Sequence, residues 1–236
     1  MEIYEIHGGV PLQGTVSISG SKNGALALMA GALLINGEIV LHNVPRIEDV
    51  ETMRELLSDL GVHFEWDGTR LWMDTRWLTH ASPNSELVNR MRASFYVFGP
   101  LLARLGYANM PHPGGCQIGA RPVNFHIMGL RELGTTIEET GTLYCAVAPR
   151  LRGARIYLDM PSAGATQQLM TAAVLAEGLT IIENAAMEPE VIQLAHFLNS
   201  AGARIEGAGS STLYIEGVPT LKPYLEYSVI PDRLEA

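Results

Sequence analysis

The chain has 236 residues, 47% of them hydrophobic and 17% charged, a composition that can bury a sizeable globular core. Its formal net charge of −9 argues against nucleic acid or an anionic membrane as partner, but local cations could still hold a small anionic substrate. The sequence shows no apolar run of about 18 residues, no signal-peptide pattern and no disulfide framework, so a cytoplasmic setting is expected.

The first 21 residues are predicted to be extended and to precede a buried helix. Val16 and Ile18 alternate with serines, which is typical of a strand, and residues 19–21 form a turn that can cap a helix. Residues 25–34 are apolar nearly all round, which predicts a helix that is buried on every side.

One amphipathic helix pattern occurs three times in the sequence. In each copy apolar residues lie on one helical face and a glycine follows as the C-cap. The copies are Val50, Met53, Leu57 and Leu60 before Gly61; Val123, His126, Leu130 and Leu133 before Gly134; and Val191, Leu194, Leu198 and Ala201 before Gly202. The buried helix before each copy and the two strand-like segments after it also recur.

These repeats predict an α/β fold. Each unit is interpreted as βαβαββ, and three units, at about 22–80, 81–150 and 151–229, would form one domain with a shared core. Asn43 in the first unit matches Asn184 in the third. Residues 1–21 would lie outside this domain as a strand segment, and residues 230–236 would lead out of it.

The middle unit carries four extra residues, because its span 106–123 corresponds to 37–50 in the first unit. The insertion falls in a glycine-rich stretch that contains Cys116, and the odd loop in a repeat array is often functional. A thiol beside cations can act as a nucleophile or a proton donor. The alternative is a small buried hydrophobic residue, which is the interpretation for Cys145.

Two cations are predicted at helix starts, Lys22 in the first unit and Arg92 in the second. Free N–H groups and the helix dipole favour an anion there, so a phosphate or carboxylate within reach of both is one hypothesis. Solvated surface cations are the alternative. His126 occupies a core-face position, which favours a packed histidine. No ligand spacing for a metal ion is present.

Four motifs carry a family resemblance: SGSKN at 19–23, MRAS at 91–94, PGGCQIGARPV at 113–123 and PDR at 231–233. Together they resemble the enolpyruvyl transferase family, and the cysteine loop is similar to that of members that act on UDP-N-acetylglucosamine. The resemblance implies the inside-out α/β barrel fold of that family, with two similar domains of three βαβαββ units each. It also implies that phosphoenolpyruvate donates its enolpyruvyl group to the 3-hydroxyl of UDP-N-acetylglucosamine, without a cofactor, to begin peptidoglycan synthesis.

The resemblance further implies roles for individual residues. Cys116 and Lys22 would be catalytic, with Cys116 as the acid or the covalent nucleophile that fosfomycin alkylates. Lys22, Arg92 and Arg121 would hold the phosphate and carboxylate of phosphoenolpyruvate, and Asn23 would contact the sugar. The residues that would line the nucleotide are Arg121, Pro122, Val123, Asn124, Phe125, Ser162, Ala163 and Gly164.

This chain departs from the family in length and at two positions. Family members have a second domain, which supplies an aspartate base and a further arginine, and which would include residues 1–21. Residues 230–236 would be the crossover to it. Asn124 stands where an aspartate is common, and Met160 stands where a lysine is common.

Three hypotheses remain open. In the first, the chain is one half of a carboxyvinyl transferase with about half the active site, completed by a second half-domain or by self-association. In the second, it is a truncated UDP-sugar-binding domain without turnover of its own. In the third, it is a structural repeat domain, which the loop and the cations disfavour.

Overall fold

The structure is a computed structural model that describes residues 3–5, 7–9, 11, 13–114 and 123–236. None of the helices in these ranges is long and apolar enough to cross a membrane. A 3-10 helix, Arg92–Val97, lies between the third and fourth α-helices. The α-helices are α1 Lys22–Ala32, α2 Glu48–Asp59, α3 Ser85–Arg90, α4 Phe98–Leu105, α5 Asn124–Glu132, α6 Ala163–Val174 and α7 Pro189–Ser200.

The strands form three separate sheets. Their bounds are β1 Glu38–His42, β2 His63–Asp67, β3 Arg70–Asp74, β4 Tyr107–Pro111, β5 Thr136–Thr140, β6 Leu143–Val147, β7 Arg155–Tyr157, β8 Leu179–Glu183, β9 Arg204–Glu206, β10 Thr212–Glu216 and β11 Tyr224–Ser228. The strand orders are β11-β1-β3-β2 in the first unit, β4-β6-β5 in the second and β7-β8-β10-β9 in the third.

Helices α1 and α6 form the centre of the core, as the apolar pattern predicts. Every residue of α1 from Gly24 onward is buried, because its side chains are apolar all round. Each helix has a serine as its N-cap. Ser21 Oγ accepts from the Gly24 N–H at 3.2 Å, and Ser162 Oγ accepts from the Ala165 N–H at 3.4 Å. The two serines satisfy N–H groups that helix geometry leaves without partners.

The three predicted amphipathic helices are confirmed as α2, α5 and α7. Their core-face residues are buried except Val123, which is partly buried at the start of α5, and each helix is followed by a glycine in the left-handed region. The φ angles are +103° at Gly61, +88° at Gly134 and +103° at Gly202, a conformation that other residues adopt only with strain. The repeated sequence pattern therefore corresponds to a repeated structure.

The described residues around Val16 and Ile18 form no strand, and the assignment of residues 1–21 to a second domain stays a prediction. Residues 13–19 contain no strand and are mostly exposed, because no neighbouring strand in the described chain offers them backbone partners. The first unit instead takes its first strand from β11, which pairs in parallel with β1. Asn43 and Asn184 make this equivalence visible: both have a φ of +56°, and each amide donates to a carbonyl just after the neighbouring parallel strand.

The middle unit is less regular than the other two. Its described residues contain no first strand, and a single backbone bond from the Asn109 N–H to Ala81 O, at 2.8 Å, occupies that edge. Its first helix is broken into α3, the 3-10 helix and α4. Pro100 has no N–H and would lose a bond inside a continuous helix, but within the first turn of α4 it needs no partner.

The chain enters and leaves the three-unit body side by side. The Ser21 N–H donates to Ile230 O at 2.7 Å, and the Asp232 N–H donates to Ser19 O at 2.8 Å. Asp232 is buried, and its Oδ2 accepts from the Lys22 N–H at 2.9 Å. The segment at 230–232 therefore caps α1 as well as following β11.

Candidate active site

A cleft of about 750 Å³ opens beside the start of α5 in the middle unit. It brings together four of the predicted substrate-binding residues, Arg92, Val123, Asn124 and Phe125. The other lining residues are His112, Pro113, Ile127, Met128, Arg131, Glu132, Glu139, Tyr144 and Asp159. Cations, carboxylates and apolar side chains therefore share one surface, as a site for a large polar ligand requires.

The start of α5 lies at this cleft. Val123 precedes the helix, and no side chain of the described residues caps it. The first N–H groups of a helix carry partial positive charge and attract anions. Arg92, at the start of the 3-10 helix, adds a full positive charge on the same cleft. The site is locally suited to a phosphate or carboxylate although the chain is acidic.

The start of α6 lies next to this cleft, and His126 connects the two. A Cβ atom on Gly164 would lie 3.3 Å from Tyr96 Cε1 and 3.4 Å from His126 Cε1, so glycine permits the close approach. His126 is buried, as its core-face position predicts, and burial lowers the pKa of His126 to about 4. Residues 162–164 thus adjoin the α5 start.

The stem of the cysteine loop forms one wall of the cleft. The His112 ring stacks on Tyr144 with ring centroids 4.4 Å apart, and the backbone N–H of His112 donates to Thr142 O at 2.9 Å. Its Nε2 lies 3.2 Å from Glu139 Oε1 but is not aligned for a hydrogen bond. Gly114 presses on the backbone at Asn89, where a Cβ would come within 2.1 Å of the Asn89 oxygen.

Lys22 and Asn23 do not line this cleft. Lys22 Nζ makes a 2.8 Å ion pair with Asp49 Oδ2 in the first turn of α2, and Asn23 is exposed. Burial alone would raise the pKa of Asp232. Its carboxylate accepts hydrogen bonds from the backbone N–H groups of Leu234 and Lys22, and these bonds outweigh burial, so the pKa is lowered. The predicted reach of one anion to both Lys22 and Arg92 therefore stays a prediction.

Three predicted residues, Cys116, Arg121 and Pro122, lie outside the described residues, and their roles stay predictions. Cys145 lies in β6 as predicted and is half-buried. Several residues of the cleft lie outside the sequence motifs, among them Arg131, Tyr144 and Asp159. Arg131 follows Asn124 by two helical turns, and this spacing is the one sequence signal that could have indicated it.

Comparisons with known proteins agree with this architecture. The family model for EPSP synthase (3-phosphoshikimate 1-carboxyvinyltransferase) matches residues 6–236. A UDP-N-acetylglucosamine 1-carboxyvinyltransferase of Nostoc sp. is 50% identical over 99% of this chain and 53% of its own length. The corresponding protein of Gloeobacter violaceus is 53% identical over 98% of this chain and 50% of its own length.

Two solved structures are also similar. The enolpyruvyl transferase NikO from Streptomyces tendae superposes with a TM-score of 0.85 at 26% identity, covering 98% of this chain and 55% of that one. EPSP synthase from Acinetobacter baumannii, at 18% identity, has a TM-score of 0.71 over 92% of this chain and 50% of that one, which indicates a shared fold. The chain spans about half the length of the curated relatives that it matches. It belongs to the EPSP synthase (3-phosphoshikimate 1-carboxyvinyltransferase) family.

Proposed function

We propose that this chain carries about half the active site of an enzyme that transfers the enolpyruvyl group of phosphoenolpyruvate to the 3-hydroxyl of UDP-N-acetylglucosamine. The reaction would be the first committed step of peptidoglycan synthesis and would take place in the cytoplasm. The observation that carries the proposal is the cleft of Arg92, Val123, Asn124 and Phe125 beside the start of α6. Relatives that are 50% and 53% identical in sequence and are named for this activity support the choice of substrates.

The cleft suits the nucleotide substrate. The diphosphate of UDP-N-acetylglucosamine would meet the start of α5, which no side chain of the described residues caps, and the start of α6, where backbone N–H groups favour negative charge. Val123, Asn124 and Phe125 would lie along the nucleoside, joined by Arg121 and Pro122. Ser162, Ala163 and Gly164 would complete this wall, and Asn23 would contact the sugar.

The chemistry needs a proton donor and cations for phosphate. The sugar hydroxyl gives up its proton and adds to C2 of phosphoenolpyruvate while C3 takes a proton. Loss of a proton from C3 and of inorganic phosphate from C2 then forms the enol ether. Cys116 would supply the proton or bond covalently to C2, and Lys22, Arg92 and Arg121 would hold the phosphate and carboxylate. Lys22 would exchange Asp49 for the substrate anion, which costs little because both side chains are partly exposed.

A second candidate is a UDP-sugar-binding domain without turnover of its own. The observation that favours it is the separation within the described residues: Arg92 lines the cleft, whereas Lys22 pairs with Asp49 outside it. A second half-domain, or a second copy of the chain, would then be required to bring the cations around one phosphoenolpyruvate.

Calorimetry and phosphate release test both candidates. The isolated chain is expected to bind UDP-N-acetylglucosamine and to release almost no phosphate from phosphoenolpyruvate. Arg92→Met should weaken anion binding by about tenfold or more, the value of a charged hydrogen bond, whereas Arg70→Met on the outer face of β3 should not. Rapid phosphate release by the isolated chain would contradict the half-site, and absence of nucleotide-sugar binding would contradict both candidates.

Fosfomycin tests the role of the thiol separately. One equivalent should attach to the wild-type chain, and mass spectrometry of peptides should locate it on Cys116. Cys116→Ser should abolish labelling, and Cys145→Ser is the matched control that should retain it. Labelling that follows Cys145 instead would overturn the assignment.

A further inference from the structure

A buried polar pair, His126 of the middle unit and Gln168 of the third unit, lies where the repeat pattern elsewhere places apolar residues. The amphipathic helix pattern places Met53 and Leu194 at the position of His126, and the buried-helix repeat places Ala27 at that of Gln168. Both side chains are almost fully buried, with exposures of 8% and 1%. A purely structural core would use apolar residues here, as the equivalent positions do.

This polar pair is energetically unfavourable as core packing. His126 Nδ1 and Gln168 Oε1 are hydrogen-bonded, but Gln168 Nε2 is buried without a partner among the described residues. An unsatisfied buried amide costs free energy that an alanine would not. Burial and the nearby charge of Arg92 also keep the imidazole neutral. Such a local cost is typical of a functional position.

The imidazole belongs to one element that begins at the cleft and contacts two others. It belongs to the first turn of α5, and its ring packs edge-on against Phe95 of the 3-10 helix with centroids 5.3 Å apart. Its Nε2 lies 3.5 Å from the position of a Cβ on Gly164, in the first turn of α6. Because Nδ1 donates to Gln168, Nε2 carries a lone pair beside the positive end of α6.

We propose that His126, oriented by Gln168, is a positioning residue that holds the starts of α5, α6 and the 3-10 helix in the arrangement that binds the nucleotide sugar. It touches no substrate itself. Phe95 also packs on Tyr144, with centroids 6.0 Å apart, and Tyr144 stacks on His112, so the same contacts extend to the loop stem. The choice of ligand rests on the proposed function, whereas the positioning role does not.

The test replaces His126 by the residue that the first unit uses. His126→Met should fold, because a buried methionine, Met53, occupies the equivalent position in α2, but its affinity for UDP-N-acetylglucosamine should fall about tenfold, the value of a lost buried hydrogen bond. Amide hydrogen exchange should accelerate by a similar factor at residues 92–97, 124–127 and 163–167. Leu194→Met, at the equivalent slot of the third unit, is the matched control and should change neither.

Two further variants keep the outcome decisive. Gln168→Ala leaves the histidine in place but removes its acceptor, so it should reproduce both losses even if His126→Met fails to fold. His126→Gln can donate to Gln168 and should recover part of the affinity. Unchanged affinity and exchange in His126→Met or Gln168→Ala would overturn the proposal. If the wild-type chain binds no nucleotide sugar, the proposed function fails, and hydrogen exchange alone decides the positioning role.

Discussion

The first and third units are regular, whereas the middle unit, which supplies most of the lining of the cleft, is irregular. Asn43 and Asn184 turn back in the left-handed conformation to bond the neighbouring first strand. The strand bounds place His112 at the same position in the middle unit, where the described residues include no first strand. His112 stacks on Tyr144 instead and leads into the loop. Because His112 has no first strand to bond among the described residues, this position can form part of the cleft wall instead.

Two of the three units keep the regular pattern, and the middle unit departs from it. Each regular unit has a parallel first strand, beside β1 or β8, and buries apolar side chains at the repeat positions. The middle unit leaves the α5 start uncapped by described side chains, and a polar pair is buried beneath it.

Removing β11 should be the most damaging change, because the first unit would then lack its first strand as the middle unit does. Ending the chain after Lys222 exposes β1 and removes the buried Leu225 and Val229, worth about 1.5–3 kcal/mol each. Urea unfolding followed by circular dichroism should show a loss of about 5 kcal/mol or more, or no folded state. Deleting residues 1–13 is the control and should cost little; equal stability of the two would contradict this strand assignment.

Acid should weaken the middle unit selectively. The pKa of His126 falls from 6.5 to about 4 on folding, so the unfolded chain binds the extra proton between these values. Stability should be complete above pH 6.5 and decline by up to about 1.4 kcal/mol per pH unit, about 3 kcal/mol in all, as the pH falls to about 4. His126→Met should show a flatter curve over that window, and identical curves would disprove this contribution.

The two left-handed asparagines should matter equally, and their middle counterpart should not. Asn43→Ala and Asn184→Ala each lose a hydrogen bond and force a residue with φ near +56° to be alanine, at about 1–2 kcal/mol. His112→Ala should change the unfolding free energy by less than about 0.5 kcal/mol, since no strand depends on it. Thermal unfolding measures the stability of all three variants. A loss for His112→Ala as large as that for the asparagine variants would contradict the difference between the units.

The smallest effect concerns nucleotide affinity. Met160, which is exposed, stands where the family commonly has lysine, so Met160→Lys should tighten UDP-N-acetylglucosamine binding about two- to fivefold, as an exposed ion pair allows. The gain should shrink at high salt. Met187→Lys adds the same charge at another exposed methionine and should leave affinity unchanged; an equal gain there would indicate a general charge effect.

Local patterns predicted much of the fold but little of the cleft. Helical spacing with a following glycine sufficed for α2, α5 and α7, because these features depend on residues close in sequence. No strand forms at Val16 within the described residues, because a strand also needs a neighbour, and the partner of β1 comes from the far end of the chain. Tyr144 and Asp159 reach the cleft only through tertiary packing, so no local pattern could indicate them.

The use of β11 as the first strand of the first unit also has a consequence for folding kinetics. The Asn43 amide bonds Val229 O, a residue 186 positions later. Such a contact closes a very long loop, and contacts of this range form slowly. During synthesis the first unit is translated first but cannot complete its sheet until β11 has left the ribosome. The third unit, whose strands are all local, is free to fold as soon as it emerges, and the earliest-made unit is then the last to be finished.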